Sequence, residues 1–439
     1  MADALARRVA LAAVLLTAAC VARQHAPKSP APVPVPPVLP SGAQPPVALP
    51  AREQGGTVRI ALDTHAEHVV LSATSYWDLS GDGGAKLLLR SSDAWPISRD
   101  GSFLYAAGSG DQAGISHASA ITARGATAAS IMTVNGRPYR GTVTITSTSR
   151  GLLVVNQVPM EAYLRGVVPL EIGHRTSAER AAVLAQAVAA RSYAYSHVDA
   201  AAQRSYDMVG TVMDQVYGGV KAETPLGDSA VAETAGLVLT YDGHVVSAPY
   251  HSTCGGSTAA PSEVWHGGAK VPYLVPVSDR IPGTDRYYCD ISPSFRWTRT
   301  FSRDALATAL QRYLDAYVHV PGGHVGTVKQ VKVSARTKSG RVRSLVIRTT
   351  RGNYTLTEDQ IRFVMRSPSG ALLRSTAFTA ESTHGSHGVL TQLVLHGRGN
   401  GHGVGMCQWG AIGRARAGQD FRTILATYYP GTRLEHVDE

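Results

Sequence analysis

Between Ala181 and Ala202 the chain runs for 22 residues without glycine or proline and is dense in alanine and other strong helix formers. Thr176 followed by Glu179 fits a capping box just ahead of it, so the segment reads as a helix with a defined start. Leu184, Val188, Arg191 and Tyr195 recur at spacings of four, three and four, which places them on one face. Arg191 is the lone charge on that apolar stripe. An inward-facing guanidinium must find an anion or carry a large desolvation cost, or else its stem must reach the rim. A central helix of this kind needs other elements around it.

Those elements alternate in type. Upstream, Val58, Ile60 and Leu62, then Val143 and Ile145, then the run Leu152 to Val155 read as strands, with Asn135-Gly136 as a hairpin turn. Downstream, Val325 to Arg336 and Arg341 to Thr350 alternate around Ser339-Gly340 as a second hairpin, Asp304 to Tyr317 reads as a helix, and Asp420 to Tyr429 as a closing helix capped by Asp420. No strict βαβ alternation and no internal repeat occur. The expected class is therefore a mixed α+β fold: a β-rich N-terminal part, a central helix packed on irregular sheets, and a closing C-terminal helix. At 439 residues and 44% apolar composition the chain has room for two or three domains with a sizeable core.

The first fifty residues concern compartment. Arg7 and Arg8 precede the apolar stretch Val9 to Leu16, too short to span a bilayer but suited to a signal peptide. It ends in Leu16-Thr17-Ala18-Ala19-Cys20, which resembles a bacterial lipobox, so residues 1–20 are expected to be a lipoprotein signal and Cys20 the lipidated residue of an extracytoplasmic, membrane-anchored protein. Residues 21–55 hold Pro32-Val33-Pro34-Val35-Pro36-Pro37 and related repeats, a semi-rigid spacer that builds no core. The net charge of +10 favours an anionic partner. With no run of five or six Lys/Arg and no nucleic-acid module, the excess reads as a diffuse field, and nucleic acid is not the expected partner.

Three motifs then carry a resemblance. The first is Val155-Asn156-Gln157-Val158-Pro159-Met160-Glu161-Ala162-Tyr163-Leu164-Arg165-Gly166-Val167-Val168-Pro169-Leu170-Glu171, continued by Ala185-Gln186-Ala187-Val188-Ala189-Ala190-Arg191-Ser192-Tyr193-Ala194. The second is Tyr250-His251-Ser252-Thr253-Cys254-Gly255-Gly256, and the third Gly397-Arg398-Gly399-Asn400-Gly401-His402-Gly403-Val404-Gly405-Met406-Cys407-Gln408-Trp409-Gly410-Ala411 with Tyr428-Tyr429-Pro430-Gly431-Thr432. In this order the chain resembles the SpoIID/LytB family over residues 56–436, divided into a β-rich part 56–150, a catalytic core part 151–300, an α/β insert 301–390 and a C-terminal core motif 391–436.

The resemblance implies a peptidoglycan-directed protein. Its sporulation members are lytic transglycosylases acting on glycan strands denuded of stem peptides, whereas LytB members enhance an N-acetylmuramoyl-L-alanine amidase, which would make a cell-wall amidase the partner. The family's catalytic glutamate falls on Glu171. One carboxyl suffices for such a reaction, because the muramic acid C6 hydroxyl attacks its own anomeric carbon and a single Glu acts as acid, then base. Partial burial after the apolar run Gly166 to Leu170 would raise its pKa. Arg191 and His251 join it as catalytic candidates, Arg191 either holding Glu171 or binding a substrate carboxylate. His402, Gln408, Trp409 and Tyr193 are the substrate-binding candidates. Asn400 departs from the aromatic residue that many members carry in the glycine loop, and Cys407 stands where others often have Ser.

No cofactor is implied. Export favours a Cys254–Cys289 disulfide with Cys407 free, both partners lying in one loop-rich segment. The alternative is a zinc site using His251, Cys254 and one or both of Cys289 and Cys407, since some members resemble zinc binders near this His.

Overall fold

The computed structural model describes residues 56–437 apart from 92, 108–113, 199–200 and 202–203, with the backbone of 47–48. Cys20 and the Pro-rich stretch lie outside the described residues. Two antiparallel sheets make the N-terminal part. One is ordered Arg137–Tyr139, Met132–Val134, Val69–Ala73, Trp95–Asp100, Phe103–Ala106, Ile115–Ala118. The other runs Met208–Val209, Thr57–Ala66, Gly151–Pro159, Thr142–Thr148, Ala120–Gly125, Trp77–Gly81, Lys86–Leu89, with Met208–Val209 joining in parallel. Asn135 and Gly136 do turn a hairpin, both at positive φ (49° and 74°), with Val134 opposite Arg137.

Strand alternation explains which residues enter the core. Val58, Ile60, Val143 and Ile145 are fully buried beside Trp77, Leu79 and Trp95. The uninterrupted apolar run Leu152 to Val155 has a different cause, since both faces of its strand are covered. Leu152 and Val154 face the main core, while Leu153 and Val155 pack with Ala61 in a small second cluster beneath Tyr206 and Val209.

Eight α-helices occur among the described residues: α1 (Met160–Ile172), α2 (Arg180–Val198), α3 (Pro225–Glu233), α4 (Pro261–Val264), α5 (Arg303–Tyr313), α6 (Gln360–Val364), α7 (Gln408–Arg416) and α8 (Phe421–Tyr428). The capping box Thr176/Glu179 is present, but it caps a 3-10 turn, Ser177–Glu179, that leads into α2. Buried residues line α2 on all sides, so it is the central helix of the main core. Asp420 caps α8 by accepting from Thr423 N at 2.7 Å. That helix does not close the chain. Arg433–His436 follows it and pairs antiparallel with Leu237–Thr240, where a closing helix alone was expected.

Residues 297–395 enclose a separate core of Phe301, Leu310, Leu345, Ile347, Leu393 and Leu395, set between two three-stranded sheets and α5 and α6. Strand Leu390–Arg398 leaves this core and runs straight into the glycine loop 399–405, which returns to the main core.

Candidate active site

Helix α1 continues directly from strand Gly151–Pro159 and ends at Gly173, whose φ of 76° suits a residue without a Cβ. Glu171 sits in its last turn, half-buried, with fully buried Val167 and Val168 one turn back anchoring the helix in the core. Gly166 and Pro169 both weaken the sequence signal for a helix here, yet each has a packing role. A Cβ on Gly166 would lie 2.6 Å from the Tyr217 ring and 3.0 Å from Gly219 O, and one on Gly227 would lie 2.8 Å from the Pro169 ring.

That close approach brings the 210–219 loop over the end of α1. Val216 N donates to Glu171 Oε1 at 2.7 Å. The Gln408 amide stands near the same carboxylate, lowering its proton affinity, and donates to Gln186 Oε1 at 3.2 Å. Burial pushes the Glu171 carboxyl up to about 7 from an ordinary 4.5, against the pull of the Val216 N–H and Gln408. The loop is itself pinned from below. Tyr217 Oη donates to Asn156 Oδ1 at 3.0 Å, and Asn156 Nδ2 donates to the carbonyls of Arg140 and Thr142, each at 2.9 Å.

Two tyrosines near this carboxyl meet at one glutamine, and a third, Tyr193, stands beside them. Gln215 accepts from Tyr163 Oη at 3.0 Å and donates to Tyr250 Oη at 2.8 Å and Ala190 O at 3.2 Å. Tyr193 lies 6.4 Å from Tyr250, centroid to centroid, and its hydroxyl reaches Asp214 at 3.5 Å. Burial holds all three phenols well above their ordinary 10, with the Glu171 charge adding to it.

The α2 stripe that faces the site is not the one carrying Arg191. Gln186, Ala190 and Tyr193 recur at four and three, and a residue two positions from Arg191 lies about 200° around the helix. Arg191 accordingly points away. Its fork meets Glu161 at 2.8 and 2.7 Å, and it donates to Leu237 O at 3.1 Å and Val231 O at 3.3 Å. The anion demanded by an inward Arg is thus Glu161; the expected hold on Glu171 is not made.

The histidines are held by backbone. His251 Nδ1 faces Val404 O at 3.2 Å, while His402 Nε2 donates to Tyr250 O at 2.8 Å and its Nδ1 accepts from Val404 N at 3.1 Å. Burial pushes His251 well below 6.5 and His402 down to about 3, so both rings are neutral. Trp409 is half-buried, with the Arg175 guanidinium 5.1 Å from its ring centroid. Of the sequence candidates, then, Glu171, Gln408 and Tyr193 come together, whereas Arg191 engages Glu161 and His251 and His402 are held by backbone atoms. Tyr163, Gln186, Asp214, Gln215, Val216 and Tyr250 also build the site. A second heptad-like stripe on α2, Gln186 to Tyr193, is the signal that would have exposed part of this set.

All three described cysteines carry free thiols, so the expected Cys254–Cys289 disulfide is not formed; their sulfurs stand 3.4 Å apart. Cys407 and Asp279 complete a buried group whose donor atoms lie within 4.8 Å of one another, and His251 is not part of it.

Comparison with known proteins identifies relatives of this chain. Residues 148–241 match the SpoIID family, described as Stage II sporulation protein. The Stage II sporulation protein D of Bacillus amyloliquefaciens is 30% identical over 300 residues, covering 65% of this chain and 76% of that protein. The chain belongs to the SpoIID/LytB family. An uncharacterized protein of Brachyspira hyodysenteriae is 32% identical over 305 residues, covering 69% of this family member and 73% of its relative. The Amidase enhancer of Bacillus subtilis is 31% identical, and the match spans 62% of this chain but only 40% of that longer protein. Residues 284–405, which include the second core, match a domain of unknown function.

Proposed function

We propose that this SpoIID/LytB-family chain acts on the bacterial cell wall as a peptidoglycan lytic transglycosylase, with Glu171 as its single acid and base. The observation that carries the reading is a half-buried carboxyl pushed up to about 7, so that near neutral pH both protonation states are populated. Protonated Glu171 gives its proton to the glycosidic oxygen as the C–O bond breaks. The C6 hydroxyl of the muramic residue then bonds to the anomeric carbon and returns a proton to Glu171, leaving a 1,6-anhydro end and a regenerated acid. Gln408 and the Val216 N–H orient the carboxyl, and Tyr193 and Tyr250 offer hydroxyl and ring surface to the sugars. Export on a Cys20 lipid anchor, with residues 21–55 as the spacer, would place the site at the wall.

A second reading is a glycan-binding enhancer of a cell-wall amidase, favoured by the 31% identity to the Bacillus subtilis Amidase enhancer. Digestion of amidase-treated peptidoglycan by the full chain and by Glu171→Gln, with mass spectrometry of the products, separates the two. Anhydromuramic ends from the parent alone support the transglycosylase. Intact glycan with retained wall binding sinks it in favour of the enhancer.

A further inference from the structure

Four segments distant in sequence bring one donor each to a single buried point. Cys254 follows the strand Tyr250–His251, Asp279 lies in a loop whose N–H bonds Gly256 O at 3.0 Å, Cys289 sits in the 3-10 turn Tyr288–Ile291, and Cys407 caps α7. Their exposures are 2%, 0%, 0% and 0%. Two glycines of α7 exist for this approach. A Cβ on Gly410 would fall 2.4 Å from Asp279 Oδ2, and one on Gly413 would fall 2.0 Å from Tyr288 O.

From this geometry we infer that Cys254, Asp279, Cys289 and Cys407 bind one structural zinc ion. Two thiolates on a tetrahedral Zn²⁺, each about 2.3 Å from the metal, stand roughly 3.8 Å apart. The Cys254–Cys289 sulfur separation of 3.4 Å and the 4.8 Å span of the whole donor set are close to that. Soft sulfurs with one carboxylate in a closed, dry site select zinc over calcium or magnesium.

The surroundings are built for a charged centre rather than for three small apolar side chains. Asp279 Oδ1 is taken by Tyr428 Oη at 2.7 Å and Arg414 Nη2 at 3.2 Å, which turns Oδ2 toward the cysteines, 3.7 Å from Cys254 Sγ. Backbone N–H groups aim at sulfur: Cys254 N and Gly410 N at Cys407 Sγ (3.1 and 3.3 Å), and Gly256 N at Cys254 Sγ (3.4 Å). Arg341 is only 1% exposed, reaches Cys254 O at 3.3 Å, and leaves its Nη1 without a partner among the described residues. A divalent ion with three thiolates and a carboxylate carries two net negative charges, which Arg414 and Arg341 offset. Binding releases the thiol protons, so occupancy strengthens as pH rises. The centre ties the start of α7, and with it Gln408, to the 254–289 loops.

The test is zinc content of the purified full chain by elemental mass spectrometry, with X-ray absorption at the zinc edge. One zinc per chain, with three sulfurs near about 2.3 Å and one lighter ligand, is expected. Cys407→Ser keeps a good helix cap while removing one thiolate, so it should fold and lose one sulfur from the absorption spectrum. Tyr428→Phe, which leaves Arg414 as the one remaining donor to Asp279 Oδ1 among the described residues, should weaken zinc retention against a chelator by about 10-fold or more. Absence of zinc after reconstitution under reducing conditions overturns the inference. So does an unchanged sulfur count in folded Cys407→Ser, or a Cys254–Cys289 disulfide in the chain recovered from the cell envelope.

Discussion

Val216 N donates to Glu171 Oε1 at 2.7 Å, and this bond is made across 45 residues by a loop that reaches the end of α1 only because residue 166 is glycine. The bond favours the ionised carboxylate, yet burial outweighs it and the group rests at about 7. In the proposed mechanism cleavage begins with the protonated form. Activity of the full chain on denuded glycan should therefore fall as pH rises through about 7, and a pH profile of kcat/KM checks it. A profile flat from pH 5 to 9 would remove Glu171 from the acid role.

The same shift has a consequence for stability. A carboxyl raised in the folded state to about 7 from 4.5 binds more protons folded than unfolded between those values. Stability is thus lost as pH climbs across that window, and the penalty is complete above it. Discounted for partial exposure, the cost is about 1–2 kcal/mol. Glu171→Gln keeps an oxygen for Val216 N–H and carries no charge, so its Tm should exceed the parent's at pH 8 by roughly 1–2 °C and equal it near pH 4.5. Thermal melts at the two pH values decide this, since an equal offset at both would mean that charge is not the cause.

Much of this was legible in the residues, and the misses have identifiable causes. The α2 helix, its capping box, the Asn135-Gly136 turn and the Asp420 cap follow from local rules that hold within four or five residues. The glycine-containing helices α1 and α7 do not, because Gly166, Pro169, Gly410 and Gly413 are poor helix formers kept for contacts with Tyr217, Gly227, Asp279 and Tyr288. Glu171 was singled out only by its motif, whereas periodicity around Arg191 pointed to the wrong side of α2. Its partner Glu161 lies 30 residues away, in a segment that alternation did not mark as helical.

Removing Arg191 should be a fold defect and not a catalytic one. Its guanidinium is fully buried, and a neutral replacement strands the carbonyls of Val231 and Leu237 and leaves Glu161, 36% exposed, with only Gly236 N as donor among the described residues. Arg191→Met is expected to lower the unfolding free energy by about 2–3 kcal/mol in denaturant melts, because Glu161 left behind is partly solvated. The fraction that remains folded should keep a falling activity limb near pH 7. A stable Arg191→Met chain with its activity abolished would instead place this guanidinium in substrate binding.

Gly166→Ala probes the loop without removing a polar group. Alanine gains about 1 kcal/mol of helix propensity over glycine, so the helix itself does not suffer. The new methyl meets the Tyr217 ring at 2.6 Å and Gly219 O at 3.0 Å, and the backbone oxygen leaves the loop little choice but to retreat. Retreat lengthens Val216 N to Glu171 Oε1, removing a bond that stabilises the carboxylate. The activity limb should then move above about 7 while kcat falls about 10-fold or more from the lost alignment. Paired pH profiles of parent and variant, with circular dichroism to confirm the fold, measure both effects. A kcat loss with an unmoved limb would show that Val216 does not set the Glu171 proton affinity.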